Sequence, residues 1–149
     1  MVTESTNAPA HDGSWKFLFT AFAIALAASL SVLFVGEVLG QVPCDLCWFQ
    51  RAFMFPLAIV LGIAAMRSDC AGPLYGLALA AGGWLVAGFH TLLYTGIVPE
   101  AMQPCGISGQ SCAGADMTVL GGLPLPMLAL AAFTAILLLL LLARRKSSA

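Results

Sequence analysis

The sequence predicts an all-α membrane protein: a four-transmembrane-helix bundle whose two outward-facing loops each carry a cysteine pair. Three observations lead there. Of its 149 residues 60% are hydrophobic and only 9% are charged, whereas a soluble domain carries about a quarter charged residues. Mean hydropathy is +0.96. Four stretches free or nearly free of charge are each long enough to cross the hydrocarbon as a helix, and no strand-like alternation competes with that reading. Six Lys+Arg against seven Asp+Glu leave no basic footprint for nucleic acid, and the apolar content argues against disorder.

The elements follow in order within a single integral membrane domain, residues 1–149. Residues 1–14 read as a flexible polar tail. Helix one, about 16–38, is charge-free from Phe17 to Val35. That run is longer than the usual core of a cleaved signal, about 7–15 residues, so it reads as a retained span. An outer loop, 40–47, comes next. Helix two, about 48–66, is apolar except for Gln50 and Arg51 at its start. Helix three, about 74–94, lies in a stretch without formal charge from Cys70 to Pro99, and its glycines suit close helix packing. The second outer loop is 95–123. Helix four, about 125–143, begins at Pro124 and Pro126, where a missing N–H costs nothing, and ends in leucines from Leu137 to Leu142.

Basic residues set the expected orientation. Lys16, Arg67, Arg144, Arg145 and Lys146 fall on one side of a four-span chain, and Arg51 alone falls on the other. Both termini are therefore expected in the cytoplasm and both outer loops outside. This rule ignores cysteine, yet it sorts the five cysteines. Cys44 and Cys47 fall in one outer loop and Cys105 and Cys112 in the other, while Cys70 is a cytoplasmic bystander. Disulfides persist outside and are reduced inside.

The two pairs differ in chemistry. Pro43-Cys44-Asp45-Leu46-Cys47 is a C-x-x-C running into helix two, where the sulfurs approach disulfide distance and free N–H groups favour a thiolate. Arg51 lies one turn beyond Cys47 on the same face. A cation in a membrane helix costs about 2.5–3.5 kcal/mol at mid-membrane and less near the interface, so it usually has a task. Cys105 and Cys112 bracket a pliant segment with Gly106 and Gly109, which suits an exchangeable disulfide. Two such pairs on one face suggest a relay. Two alternatives stay open on these residues: structural staples, or a zinc or copper site made of four cysteines. His90 sits at about the depth of Arg51, either as a functional group or as a hydrogen-bond partner of a neighbouring helix. Glu37, Asp45, Glu100 and Asp116 read as solvated charges.

The run Pro43-Cys44-Asp45-Leu46-Cys47-Trp48-Phe49-Gln50-Arg51 resembles the signature of the DsbB/BdbC family of bacterial membrane disulfide-forming proteins. The resemblance continues through Met54-Phe55-Pro56, His90, Pro104-Cys105, Cys112 and Leu123-Pro124-Leu125-Pro126, covering all but the termini. It implies a thiol:disulfide oxidoreductase of the bacterial cytoplasmic (inner) membrane. Such an enzyme reoxidises a DsbA-like thioredoxin-fold carrier and passes electrons to a membrane quinone, ubiquinone or menaquinone. Cys105 would form the mixed disulfide with the carrier, and Cys112 would resolve it toward Cys44. Cys47 would stack on the quinone ring, and Arg51 would hold a quinone oxygen with His90 nearby. Lipid and the quinone pool are the other expected partners; no metal and no nucleic acid are expected. The short spacing of Cys105 and Cys112 matches the BdbC-like branch, since wider-spaced members carry an extra amphipathic segment there. Two rivals are a reductive relay like the vitamin K epoxide reductases, whose C-x-x-C lies in a late helix, and a non-enzymatic metal-handling module.

Overall fold

The computed structural model describes residues 9–67, 72–99, 112, 118–119 and 122–147. Four helices account for nearly all of them: α1 (Pro9–Glu37), α2 (Asp45–Arg67), α3 (Gly72–Tyr94) and α4 (Leu125–Ser147). All four are long and apolar enough to cross a membrane. Between α3 and α4 a small antiparallel ribbon pairs β1 (Thr118–Val119) with β2 (Leu123–Pro124).

Each helix packs on its neighbours in sequence, and α4 closes the ring against α1. Side-chain contacts fix the alternating direction. At one end, the Trp15 indole N–H donates to the Ala65 carbonyl at 2.9 Å, and the Ser14 hydroxyl donates to the Ala143 carbonyl at 3.1 Å. The start of α1 thus meets the ends of α2 and α4. At the other end, Arg51 near the start of α2 reaches Val32 near the end of α1. Lys16, Arg67, Arg144, Arg145 and Lys146 consequently lie toward one end of the bundle, and Arg51 with Cys44 and Cys47 at the opposite one.

The inside of the bundle is apolar and rich in small residues. Ala21, Ala25, Ala80 and Ala87 are fully covered, and so are Leu57, Leu61, Phe133, Ile136 and Leu140. Many other large apolar side chains face outward, among them Leu30, Phe34, Ile59, Leu85 and Leu138. That arrangement suits lipid as solvent: tails are as apolar as leucine, so close packing of small residues supplies the attraction between helices. Gly83 shows how tight this packing is, because a Cβ built there would collide with the Phe133 ring.

Three helix starts differ from the boundaries read in the sequence. α1 opens at Pro9, inside the segment expected as a tail and well before residue 16, since Ser14 and Trp15 dock on backbone carbonyls of α4 and α2. Hydropathy marks the part of a helix that sits in lipid, and it does not mark the helix end. α2 opens at Asp45 rather than at 48, so Cys47 belongs to its first turn and not to the preceding loop. α3 opens at Gly72 with Pro73 in its first turn, where proline is tolerated. α4 runs on to Ser147, with Arg144, Arg145 and Lys146 in its last turn facing the negative end of the helix dipole.

Gly83→Leu is expected to lower the midpoint of thermal unfolding in detergent, because overpacking costs about 1–3 kcal/mol. Gly88→Ala is the control: nothing stands within 4 Å of its Cβ position, and the midpoint should hold or rise. Equal loss in both would refute the Phe133 contact as the cause.

Candidate redox site at the end of the bundle

Residue 44 is where the chain stops being loop and becomes helix. Gly40, at φ 68°, turns the backbone out of α1, a conformation glycine adopts without strain. The chain then runs extended to Cys44, whose carbonyl accepts the first helical bond from the Trp48 N–H at 3.2 Å. Cys44 is thus the N-cap of α2, and its sulfur accepts from the Cys47 N–H, as a capping serine oxygen would. The Leu46 N–H is directed at a different sulfur, that of Cys112 from the connection between α3 and α4. Orphan amides of one helix start therefore serve two cysteines far apart in sequence.

Three sulfurs form a row. Cys44 Sγ donates to Cys47 Sγ at 3.4 Å, and Cys112 donates to Cys44. Cys44 and Cys112 are buried under Leu46 and Leu93, with Val86, Phe89 and Val98 around them, while Cys47 is half-buried. For Cys44, contact with Cys112 favours the thiolate, but contact with Cys47 and burial outweigh it and push the thiol up to about 11. Contact with Cys44, followed by burial, raises the Cys112 thiol well above the ordinary range.

His90 on α3 is fully buried behind this row. Its Nε2 lies 3.3 Å from the Cys112 carbonyl oxygen and 3.8 Å from Cys44 Sγ, and its Nδ1 lies 2.9 Å from Gln50 Nε2. The donor atoms of Cys44, His90 and Cys112 all lie within 4.8 Å of one another, a soft set that a thiophilic ion would accept. Arg51 faces the other way. Its Nη2 donates to the Val32 carbonyl at 3.0 Å, and its guanidinium stands 5.2 Å from the centre of the Trp48 ring. Gly36 leaves room for it: a Cβ there would come within 3.3 Å of Nη2.

The structure thus brings together Cys44, Cys47, Cys112 and His90. Arg51 and His90, expected as one cofactor-binding group, have different neighbours: α1 and Trp48 for the first, the sulfurs and Gln50 for the second. Cys105 and Cys70 lie outside the described residues. Gln50 is the residue that the sequence reading passed over. Its signal was present, since an amide three residues after Cys47 inside an apolar helix needs a partner when buried.

The profile of the family described as disulfide bond formation protein DsbB matches residues 14–143. The chain belongs to the DsbB family. A "Probable disulfide formation protein" from Metapseudomonas resinovorans is 51% identical over 135 residues, covering 91% of this chain and 94% of that protein. "Disulfide bond formation protein C" of Bacillus subtilis (strain 168) is 34% identical over 132 residues, covering 89% and 95%. A further "Probable disulfide formation protein", from Deinococcus radiodurans, is 38% identical over 131 residues, covering 83% and 85%. No solved structure matches the chain. This DsbB-family chain is a multi-pass membrane protein and a disulfide-forming oxidoreductase that works with a thiol–disulfide partner.

With the protein reduced at neutral pH, a maleimide should label Cys47 first among the three described thiols. Cys44 and Cys112 are buried and protonated, and the thiolate is the reacting form. Since the Cys44 thiol is raised to about 11, its thiolate is scarce below that value, and labelling should climb roughly tenfold per pH unit toward it. Peptide mass spectrometry reads the order; Cys44 labelled ahead of Cys47 at pH 7 would contradict the arrangement.

Proposed function

We propose that this protein reoxidises an extracytoplasmic thioredoxin-fold dithiol carrier, of the DsbA kind, and delivers the electrons to a membrane quinone. The observation that carries the reading is the row Cys112–Cys44–Cys47, which joins the second outer loop to a half-buried sulfur at the helix start. Membership of the DsbB family and the gathering of five basic side chains toward the opposite end support it. By the charge rule that basic end is cytoplasmic, in the bacterial inner membrane, and the sulfurs are outside.

The thiol steps balance as exchanges. A carrier thiolate attacks Cys105 of a Cys105–Cys112 disulfide, forming a mixed disulfide and releasing Cys112. The second carrier thiolate then attacks the carrier sulfur of that bond, so the carrier leaves oxidised and Cys105 leaves as a thiolate. Cys112 attacks Cys44 of a Cys44–Cys47 disulfide, and Cys47 leaves with the electron pair. Cys105 finally attacks Cys112, restoring the outer pair and releasing Cys44. The net result is an oxidised carrier and a reduced Cys44–Cys47 pair.

The residues beside Cys47 fit a quinone. Arg51 is fixed by the Val32 carbonyl and the Trp48 ring, so a guanidinium is already in place near Cys47, and Trp48 and Phe49 offer exposed aromatic faces. A bound quinone would supply a two-electron, two-proton acceptor. In a low-dielectric site, negative charge is costly without a fixed cation, and Arg51 supplies that cation. His90 enters the reading through Cys44, which it touches.

With a carrier whose second cysteine is replaced, a long-lived mixed disulfide with Cys105 should accumulate, visible on non-reducing gels, and Cys105→Ser should not form it. Equal trapping with and without Cys105 would move the carrier's point of attack. Arg51→Gln should raise the quinone KM or lower kcat about tenfold or more under anaerobic turnover, since a hydrogen bond from a charged donor contributes about 1.5–3 kcal/mol. Exchange at the outer pair should stay nearly intact. Arg51→Lys should restore only part, because it lacks the planar fork. Unchanged quinone constants in Arg51→Gln would reduce Arg51 to an interfacial anchor.

A further inference from the structure

We infer that His90 and Gln50 are a positioning pair that holds Cys112 on Cys44, and so make Cys112 the outer cysteine that exchanges with the helix-start pair. The inference rests on the relay proposed above and adds what aligns its internal step.

The argument begins with the carbonyl of Cys112, which can only accept. His90 Nε2, 3.3 Å away, therefore carries the proton and donates. In a neutral imidazole the other nitrogen is then an acceptor, and the Gln50 amide donates to it at 2.9 Å. Two hydrogen bonds on opposite sides of one ring fix its tautomer and its plane. Both residues are buried, His90 completely, so water does not offer substitutes. Three separate pieces of chain meet there: Gln50 on α2, His90 on α3, and the loop residue Cys112. The same Nε2 lies 3.8 Å from Cys44 Sγ, so the ring touches both reacting residues.

Exchange between Cys112 and the Cys44–Cys47 disulfide forms one S–S bond and breaks one. No oxidant is consumed, and Cys47 leaves as the thiolate. Position and alignment dominate such a step. The Leu46 N–H holds the Cys112 sulfur and the His90 N–H holds its carbonyl, so the residue is gripped at two points. Nothing in this geometry makes His90 a base toward Cys112, because its Nε2 already bears a proton and its Nδ1 is occupied by Gln50.

The test uses the full chain in detergent with Cys105→Ser as parent, without carrier and under anaerobic conditions. In this variant, Cys44–Cys47 with free Cys112 equilibrates with Cys44–Cys112 and free Cys47; acid quenching, alkylation and peptide mapping give the ratio. Added His90→Leu should lower the Cys44–Cys112 share roughly fivefold to tenfold, the equivalent of one buried hydrogen bond. Gln50→Leu should lower it less, since the N–H of His90 remains but its tautomer is no longer held. His90→Gln, whose amide N–H reaches to about the place of Nε2, should restore most of the share. A space-filling role would make His90→Leu and His90→Gln behave alike, and that result would overturn the inference, as would an unchanged share in His90→Leu. If the parent itself forms no Cys44–Cys112 disulfide, the relay fails, and this step with it. A parent that forms the disulfide with variants that ignore His90 sinks the positioning pair alone.

Discussion

The capping position of Cys44 is the constraint on which the rest of the site depends. An N-cap residue has its backbone half outside the helix and its side chain turned back over the first free amides. A sulfur placed there is pinned beside the residue three further on, so Cys47 arrives by helix geometry alone. It is also pinned against whatever covers the helix end, which in this fold is His90 and Cys112. Moved one turn into α2, the same C-x-x-C would lose the free amides and the contact with Cys112. Moved one turn out, it would lose the fixed spacing.

His90 shows what burial demands of a polar group in such a place. A fully covered imidazole with an unmet hydrogen bond costs about 1–3 kcal/mol, and both of its nitrogens are engaged. Gln50 carries part of that load from within α2, where an amide is otherwise out of place. Arg51 is adjacent in sequence and points elsewhere, because consecutive helical positions are about 100° apart. Two neighbouring polar residues thus serve two sides of one helix: Gln50 faces α3 and the sulfurs, and Arg51 faces α1 and the Trp48 ring.

The four helices were legible in the sequence because hydrophobicity over a membrane-length window is a strong one-dimensional signal. The sorting of basic residues by end was legible for the same reason. Helix starts were less so: Ser14 and Trp15 extend α1 through contacts to α4 and α2, and such contacts have no local signature. Cys44, Cys47 and Arg51 were found from spacing, which helix geometry converts into proximity. The meeting of Cys112 with Cys44 and the part played by Gln50 were hidden, because a loop has no period and a lone amide has no motif. Family resemblance pointed to the first of these, and only the three-dimensional contact between Gln50 and His90 reveals the second.

The packing of the middle layers also sorts polarity along the bundle. Among the described residues, the buried polar side chains are Ser29, Gln50 and His90. Ser29 spends its hydroxyl on the Ala25 carbonyl of its own helix. Between the sulfur end and the basic end the buried side chains are those of Ala, Leu, Ile, Phe and Met54, so among the described residues no run of buried polar side chains links the two ends. His90 and Gln50 are thus set off by an apolar layer from the basic side chains at the other end of the bundle.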